Sequence, residues 1–431
     1  MTRLLPVPIP GPAPATPAAG DIVPAPKRPL RLPVQARDLQ GLARLAVDAT
    51  LGITNVVESM HHTIASGAGI VGPARTGPAR GISGGVYRSV RGVTRAVGWG
   101  VDGLLGRLAQ WRPGPADLPP SPEREAALAV LNGVWGDHLV DTGNPLAIPM
   151  RWRVRGRPLP AHGGWADQLP QANGRVLVMV HGLCMNDLQF LRNGHDHGAW
   201  LRQTAGYTPV YLHYNTGRHV SQNGRDLAAA LSDLQAHWPV PVRELVILGH
   251  SMGGLVARSA CHLAAAEGRS WLRQLKALVF LGTPHHGAPL ERGGHLIDRL
   301  LGVSPYVAPF ALLGQARSAG ITDLRYGNLQ DADWQGRPRH HQRHDNRQPT
   351  PLPAGVPAYL VAATTAARAD ALRSRTLGDG LVPLASALGQ HARAEMALPV
   401  PPERQRVVTS ANHWSLLEHP EVAAALRQWL A

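Results

Sequence analysis

A serine at position 251 stands in the run Gly249-His250-Ser251-Met252-Gly253-Gly254. The apolar segment Leu245-Val246-Ile247-Leu248 precedes it, and the helical pattern LVARSACHLAAA follows. A strand that ends in GxSxG and opens a helix forms a nucleophile elbow. The turn is tight, so glycines must stand where side chains would clash, and the serine oxygen is lifted clear of the sheet. The helix behind it directs its positive end at the reacting centre, where negative charge is stabilised. The chemistry this permits is nucleophilic attack through a covalent intermediate.

A serine is a weak nucleophile until a base takes its proton and a third group orients that base. The order along the chain expected with such an elbow is serine, acid, histidine. His413, in TSANHWSLLEHPEV, lies just past the strand RQRVVTS and before the final helix; His419 reads instead as the start of that helix. For the acid, Asp379 in TLGDGLVPLASA sits between glycines that make a tight presenting turn, whereas Asp370 falls in an Ala/Arg-rich helical stretch. A turn-capping carboxylate is the bland alternative for either. The oxyanion of a tetrahedral intermediate needs two main-chain donors. The N–H of Met252, directly after the nucleophile, is one, and Leu183 in His181-Gly182-Leu183 is the other.

Other residues of chemical interest receive structural readings. His285 and His286, in LGTPHHGAP, end a strand near the site, where they serve structure rather than the acyl pocket. His340, His341, His344 and Asp345 lie in a Pro/Arg-rich loop without strict ligand spacing, so no metal is expected there. Cys184 has no elbow and reads as a small packing residue. No cofactor is called for.

The elements that must position these groups alternate along the chain. RVLVMVHG (175–182), TPVYLHY (208–214), RELVILGH (243–250), LKALVFLG (275–282), PAYLVAAT (357–364) and RQRVVTS (404–410) read as buried strands. Helical stretches at about 187–204, 220–237, 253–267 and 420–430 separate them, after a helix at 122–135 and a hairpin signal at Met150, Trp152 and Val154. Strands alternating with helices predict an α/β fold with a mostly parallel sheet and helices on both faces. The interval 288–352 breaks the alternation and reads as a cap insertion. Its apolar part, from His295 to Gly320, offers an underside for an acyl chain. Before the catalytic domain (121–431), residues 1–35 are Pro/Ala-rich and predict disorder. Residues 36–120 form a helical N-terminal extension: one apolar face runs from Leu39 through Leu45, Ile53 and Met60, and a second through Val86, Val90, Val93, Val97 and Leu104. The glycines of the second helix favour packing on the domain that follows; peripheral contact with a membrane is the alternative.

The combination VHGL, GHSMGG, LGTPHHGAP, GDGLVP and NHWSLLEHPEV resembles the α/β-hydrolase superfamily, within it the bacterial lipase and esterase branch related to GPI-inositol-deacylase-like hydrolases and triacylglycerol lipases. The resemblance covers about 170–431. It implies an α/β-hydrolase fold and a triad of Ser251, Asp379 and His413. It also implies an oxyanion hole at Leu183 and Met252, and cleavage of carboxylic esters, including lipid esters. The first 120 residues match no family pattern, and the Pro-rich start departs from secreted lipases. Two other readings stay open: acyl transfer to an acceptor other than water with the same triad, and a non-catalytic lipid-binding protein on the same fold.

Composition narrows the partners. The chain has 431 residues and a formal net charge of +14, with Lys27 and Lys276 as its lysines and arginine supplying the remaining basic groups. No basic run is interleaved with aromatics, so nucleic acid is a poor partner. Cys184 and Cys261 form no disulfide framework. Prolines break the N-terminal apolar segment and no run of 18 apolar residues exists, so neither a signal peptide nor a spanning helix is expected. A cytoplasmic enzyme, associated with membrane only through its N-terminal helices, is the resulting expectation.

Overall fold

Apolar runs of six or seven residues, too short for most helices, form the centre of the molecule. The computed structural model describes residues 36–65, 81–111, 121–161, 163–288, 318–337, 345–368 and 378–431. Within them lie strands β1 (Arg151–Val154), β2 (Arg157–Pro158), β3 (Arg175–Val180), β4 (Thr208–His213), β5 (Glu244–His250), β6 (Leu275–Leu281), β7 (Ala358–Ala363) and β8 (Gln405–Val408). They build one eight-stranded sheet in the order β2-β1-β4-β3-β5-β6-β7-β8. The β1–β2 and β1–β4 pairs are antiparallel, and every later pair is parallel. The inner strands β3 to β7 are buried on both faces along most of their length, which is why they are largely apolar, whereas the edge strand β8 exposes Arg406.

Alternation along each strand divides the core in two. Val176, Val178 and Val180 of β3 join Leu245 and Ile247 of β5 on one face, packed under Leu227 and Leu231 and under Val256 and Ala260. Those residues belong to α6 (Val220–His237) and α7 (Met252–Ala266). Leu177, Met179, Val246 and Leu248 point the other way, toward Leu201, Val422 and Leu426. These lie on α5 (His197–Ala205) and on the final helix α10 (Pro420–Leu430). The sheet with its two helical layers is the α/β-hydrolase fold. Each fully buried leucine or valine contributes about 1.5–3 kcal/mol relative to exposure.

Three extended helices precede the sheet: α1 (Ala36–Ala65), α2 (Gly81–Trp111) and α3 (Pro122–Asp141), and a short α4 (Trp165–Gln168) follows β2. The first contacts the third through charged side chains. Arg124 of α3 makes a two-pronged contact with Asp38 at 2.7 and 2.6 Å, and His138 reaches Asp48 at 3.1 Å. The apolar stripe expected to bury α2 does not do so. Val86, Val90, Val93, Val97 and Leu104 are exposed. The face that packs carries Gly98, against Val47 of α1, and Asp102, which receives Arg44 and Gln40. The charge pair and the close approach at a residue without a side chain set the rotation of this helix.

Other departures are local. The helix expected over 187–204 is broken. A 3-10 turn at Asp187–Phe190 gives way to a turn at Arg192–His195, and α5 starts behind Asp196, whose side chain accepts from Ala199 N at 2.8 Å. Asn193 and Gly194 both have positive φ there, the geometry Asn-Gly supplies. The helix at 122–135 runs on to Asp141, kinked at Trp135. Of the cap interval, the described part holds α8 (Ala319–Asp323) and a 3-10 turn at Asp331–Asp333, and a short α9 (Leu384–Ala387) lies between β7 and β8. Residues 295–317 of the apolar stretch His295 to Gly320, the histidines at 340, 341 and 344, residues 1–35 and Asp370 lie outside the described residues. Among the described residues no helix is long and apolar enough to cross a membrane.

Candidate active site

Ser251 stands between β5 and α7 with φ 54° and ψ −125°, an unfavourable backbone region for a residue with a side chain. Its neighbours hold it there. Ser251 N donates to Leu281 O at the end of β6 (2.8 Å), and Gly254 N donates to Ser251 O (3.1 Å). The helix also presses on β3: a Cβ on Gly253 would lie 2.2 Å from Val180 O, so only glycine fits. Ser251 itself is half-buried, while Met252 behind it is fully buried.

Asp379 and His413 meet although 34 residues separate them. His413 Nδ1 lies 2.6 Å from Asp379 Oδ2, and His413 N donates to Asp379 O at 3.1 Å. Both side chains are buried, at 2% exposure each. The carboxylate is fixed from its other side, since Asp379 Oδ1 accepts from Leu381 N (2.9 Å) and Val382 N (2.8 Å). Gly378 and Gly380, at φ +52° and +95°, make the turn that presents it. His419 caps α10, accepting from Glu421 N through Nδ1, in the role expected from HPEV.

The same loops converge on the serine. A side chain at Gly282, next to the Leu281 that holds Ser251, would lie 3.1 Å from the His413 ring. A side chain at Gly182, next to Leu183, would lie 2.9 Å from Ser251 Cβ. In the loop after β3, Cys184 N donates to Thr216 Oγ1 (3.1 Å) and Met185 N to Gly182 O (3.3 Å). Among the described residues the N–H groups of Leu183 and Met252 make no hydrogen bond within the chain. Cys184 is buried, and burial pushes its thiol up to about 12, which removes it as a thiolate nucleophile.

Several supporting residues escaped the sequence reading. His250, the variable residue of the GxSxG run, is fully buried, and its Nε2 donates to the main-chain carbonyl of His413 at 3.3 Å. Burial, followed by the nearby His413, holds the His250 ring well below the usual histidine range, so it is neutral. His181 stacks on Tyr214 at 4.5 Å, and Tyr214 OH donates to His181 O (2.8 Å). The loop carrying Leu183 is tied down at Asp187, which Arg153 of β1 reaches at 3.1 Å and His213 of β4 at 3.3 Å. Arg153 also bonds Glu125 of α3 at 2.7 Å. Burial pushes the Asp187 carboxyl up, but His213 and Arg153 outweigh it and hold it below the usual carboxylate range. These partners could not be found from local motifs, because each comes from a different element.

His285 is buried against Arg258 and Phe280, and His286 donates its main-chain N–H to Ser386 Oγ at 3.1 Å. Asp345, the described member of the proposed cluster with 340, 341 and 344, pairs with Arg347 at 2.8 Å. No group of three metal-ligating side chains occurs among the described residues.

Residues 142–324 match a family model described as a domain of unknown function, DUF7379. That span is under half of the chain. No curated protein matches. Among solved structures, the chain is similar to the mature lipase BlEst2 of Bacillus licheniformis at 17% identity and TM-score 0.41, covering 66% of this chain and 98% of that one. It is similar to EstA of Clostridium botulinum at 12% identity and TM-score 0.36, covering 60% and 87%. A third is the esterase Pf2001 of Pyrococcus furiosus, at 17% identity and TM-score 0.36, covering 60% and 84%. Likeness at these scores carries no argument of its own. The fold rests on the strand order, and the site on the contacts above.

Proposed function

We propose that this chain is a serine hydrolase that cleaves carboxylic esters, with Ser251 as nucleophile, His413 as general base and acid, and Asp379 as the group that orients the histidine. The observation that carries this reading is the buried 2.6 Å contact between His413 Nδ1 and Asp379 Oδ2 beside a serine held at positive φ. A carboxylate bonded to Nδ1 fixes the tautomer with Nε2 free to accept a proton. His413 Nε2 takes the Ser251 Oγ proton as the oxygen attacks the ester carbonyl. The tetrahedral oxyanion is received by the N–H of Leu183, in the loop after β3, and by that of Met252, at the start of α7. As it collapses, the alkoxide leaves with the proton from His413, and the acyl group remains on Ser251. Water, activated by the same histidine, repeats the cycle and frees the acid.

The preference for an ester bond draws support from the motif resemblance to bacterial lipases and GPI-inositol-deacylase-like hydrolases. Two measurements test the reading. A fluorophosphonate probe labels Ser251 in the wild type and not in Ser251→Ala, and p-nitrophenyl esters are hydrolysed by the first alone. Removal of a triad nucleophile typically costs about six orders of magnitude in turnover. Ester cleavage by folded Ser251→Ala at the wild-type rate would overturn it.

A further inference from the structure

The apolar stripe of α2 is not covered by the domain it was expected to pack on. Val86, Val90, Val93, Val97, Val101 and Leu104 follow one another at steps of three and four, so they share one side of the helix over about 27 Å. All six are exposed, Val93 at 64% and Leu104 at 61%. The glycines near that side draw no other element in: a Cβ at Gly92, Gly100 or Gly103 would meet nothing within 4 Å. α2 packs on α1 by a different side, through Gly98 against Val47 and through Asp102. Leu39 and Leu42 of α1 are exposed as well, and the bond from Gln40 to Asp102 (3.0 Å) sets them level with the Leu104 end. Soluble monomers rarely leave a continuous apolar strip of this length bare.

The charges of the helix narrow what could cover this strip. α2 carries Arg88, Arg91, Arg95 and Arg107 and one acidic residue, Asp102. Arg44 occupies that carboxylate at 2.6 and 2.9 Å. Arg88 and Arg95, seven residues apart, stand on the side opposite the valines, and Arg107 borders the strip; all three are exposed. A second copy laid on this face would bring two arginine-rich helices together with no carboxylate of α2 left to receive them, and the chain as a whole carries +14. The complementary partner is apolar where it meets the valines and anionic around them. A bilayer with anionic headgroups has both properties, and an amphipathic helix with arginines on its polar side lies in the plane of such an interface.

We propose that α2 docks this chain on an anionic phospholipid surface, lying parallel to the bilayer with the strip from Val86 to Leu104 among the upper acyl carbons. Arg107 then sits at headgroup level. Arg88 and Arg95 face water about 10 Å from the strip, a Debye length at 0.1 M salt, where the surface potential still acts. Binding of this kind is reversible and partly salt-sensitive, because salt screens the arginines and leaves the apolar contact in place. Docking is independent of the chemistry at Ser251: it would hold the chain at a lipid surface whatever bond is cleaved there.

The experiment is flotation of the full chain with vesicles of phosphatidylcholine alone, or of phosphatidylcholine with about 30% phosphatidylglycerol. Wild type should float with the anionic vesicles and stay behind with the neutral ones, and raising sodium chloride from about 100 to about 500 mM should weaken binding severalfold. Val93→Gln/Val97→Gln removes apolar surface at no cost in helix propensity and should lower the partition roughly tenfold, with circular dichroism as the folding control. Arg88→Gln/Arg95→Gln should lower it too and flatten the salt dependence. Equal flotation with both vesicle types, or a Val93→Gln/Val97→Gln protein that binds like wild type, would overturn the docking face. Light scattering without lipid tests the other occupant: a wild-type dimer that the valine variant turns into a monomer, with no flotation, assigns the strip to a second copy and rejects the membrane. Should either variant fail to fold, the wild type decides alone, since its failure to float with the anionic vesicles rejects the proposal.

Discussion

His250 donates its Nε2–H to the carbonyl of His413 at 3.3 Å, across 163 residues of sequence. Its ring packs against the His413 ring with centroids 4.8 Å apart. The residue immediately before the proposed nucleophile thus holds the main chain of the proposed base, and the imidazole of His413 inherits its place from both Asp379 and His250. On that reading His250 is a positioning residue, because it touches the proposed base and not the reacting atoms. His250→Phe should keep the ring volume and leave the His413 carbonyl unsatisfied, which costs about 1–3 kcal/mol. Because that loss falls on the aligned state, kcat should drop by roughly 5- to 160-fold with KM little changed. His250→Gln, which retains a donor, should recover part of kcat. A His250→Phe enzyme with normal kcat, or a Gln variant as impaired as Phe, rules the role out.

Asp379→Asn should keep the fold and lose turnover. The amide oxygen can still accept from Leu381 N and Val382 N, so the turn survives. The amide nitrogen then faces His413 Nδ1 and favours the wrong tautomer, a change worth about four orders of magnitude in kcat in a triad. Steady-state kinetics with circular dichroism as the folding control check this. Asp370→Asn should behave like wild type; the reverse pattern would move the acid to 370.

Acid should weaken the fold before it titrates surface carboxylates. Burial pushes His181 down to about 3 and His197 to about 4, and His250 and His285 lie well below the ordinary value of 6.5. These rings are neutral in the folded chain but take up protons near pH 6.5 once unfolded. The unfolded state therefore binds more protons below that pH, and stability falls as pH drops from about 6.5 toward the folded values. Each such ring contributes up to about 1.4 kcal/mol per pH unit over that window. Urea unfolding at pH 7.5, 6 and 5 reads the slope. A free energy of unfolding that is flat between 7.5 and 5 would show that these rings are not held neutral.

What could be read in advance follows from how local each determinant is. The strands from β3 to β7 were legible because burial on both faces demands largely apolar runs, and the register of RVLVMV or ELVILGH leaves no competing period. The Ser251 turn was legible because strand, glycines and helix are contiguous. The rotation of α2 was not, since an Arg44–Asp102 pair and the approach of Gly98 to Val47 outweigh a stripe of five exposed apolar residues. The break before α5 was missed although Asn193-Gly194 announces a turn. His250, Asp187 and Arg258 act through partners on distant elements, and no spacing in the sequence connects them.

Within the cap interval, a buried carboxylate fastens the chain to the rest of the domain, and the consequences can be measured. Asp323, at the end of α8, lies 3.0 Å from His219 Nδ1, accepts from Val220 N at 2.8 Å and from Asn328 Nδ2 at 3.0 Å, and is 1% exposed. His219 in turn stacks face to face on Trp334, with ring centroids 3.7 Å apart. The helix so anchored reaches the candidate oxyanion hole, since a side chain at Gly320 would lie 2.9 Å from the Met252 methyl group. Asp323→Ala strands the Val220 N–H, the Asn328 amide and the His219 ring at once. With about 1–3 kcal/mol for each buried orphan, the loss of stability should be several kcal/mol. Asp323→Asn keeps one acceptor and should cost less. Because α8 seats against Met252, kcat should fall in Asp323→Asn even under conditions where the protein remains fully folded. Urea titration followed by circular dichroism gives the stability order, and ester hydrolysis on the same samples gives the kinetic effect. An Asp323→Ala protein as stable as wild type would show that the contact is not an anchor. A folded Asp323→Asn with unchanged kcat would confine its role to stability.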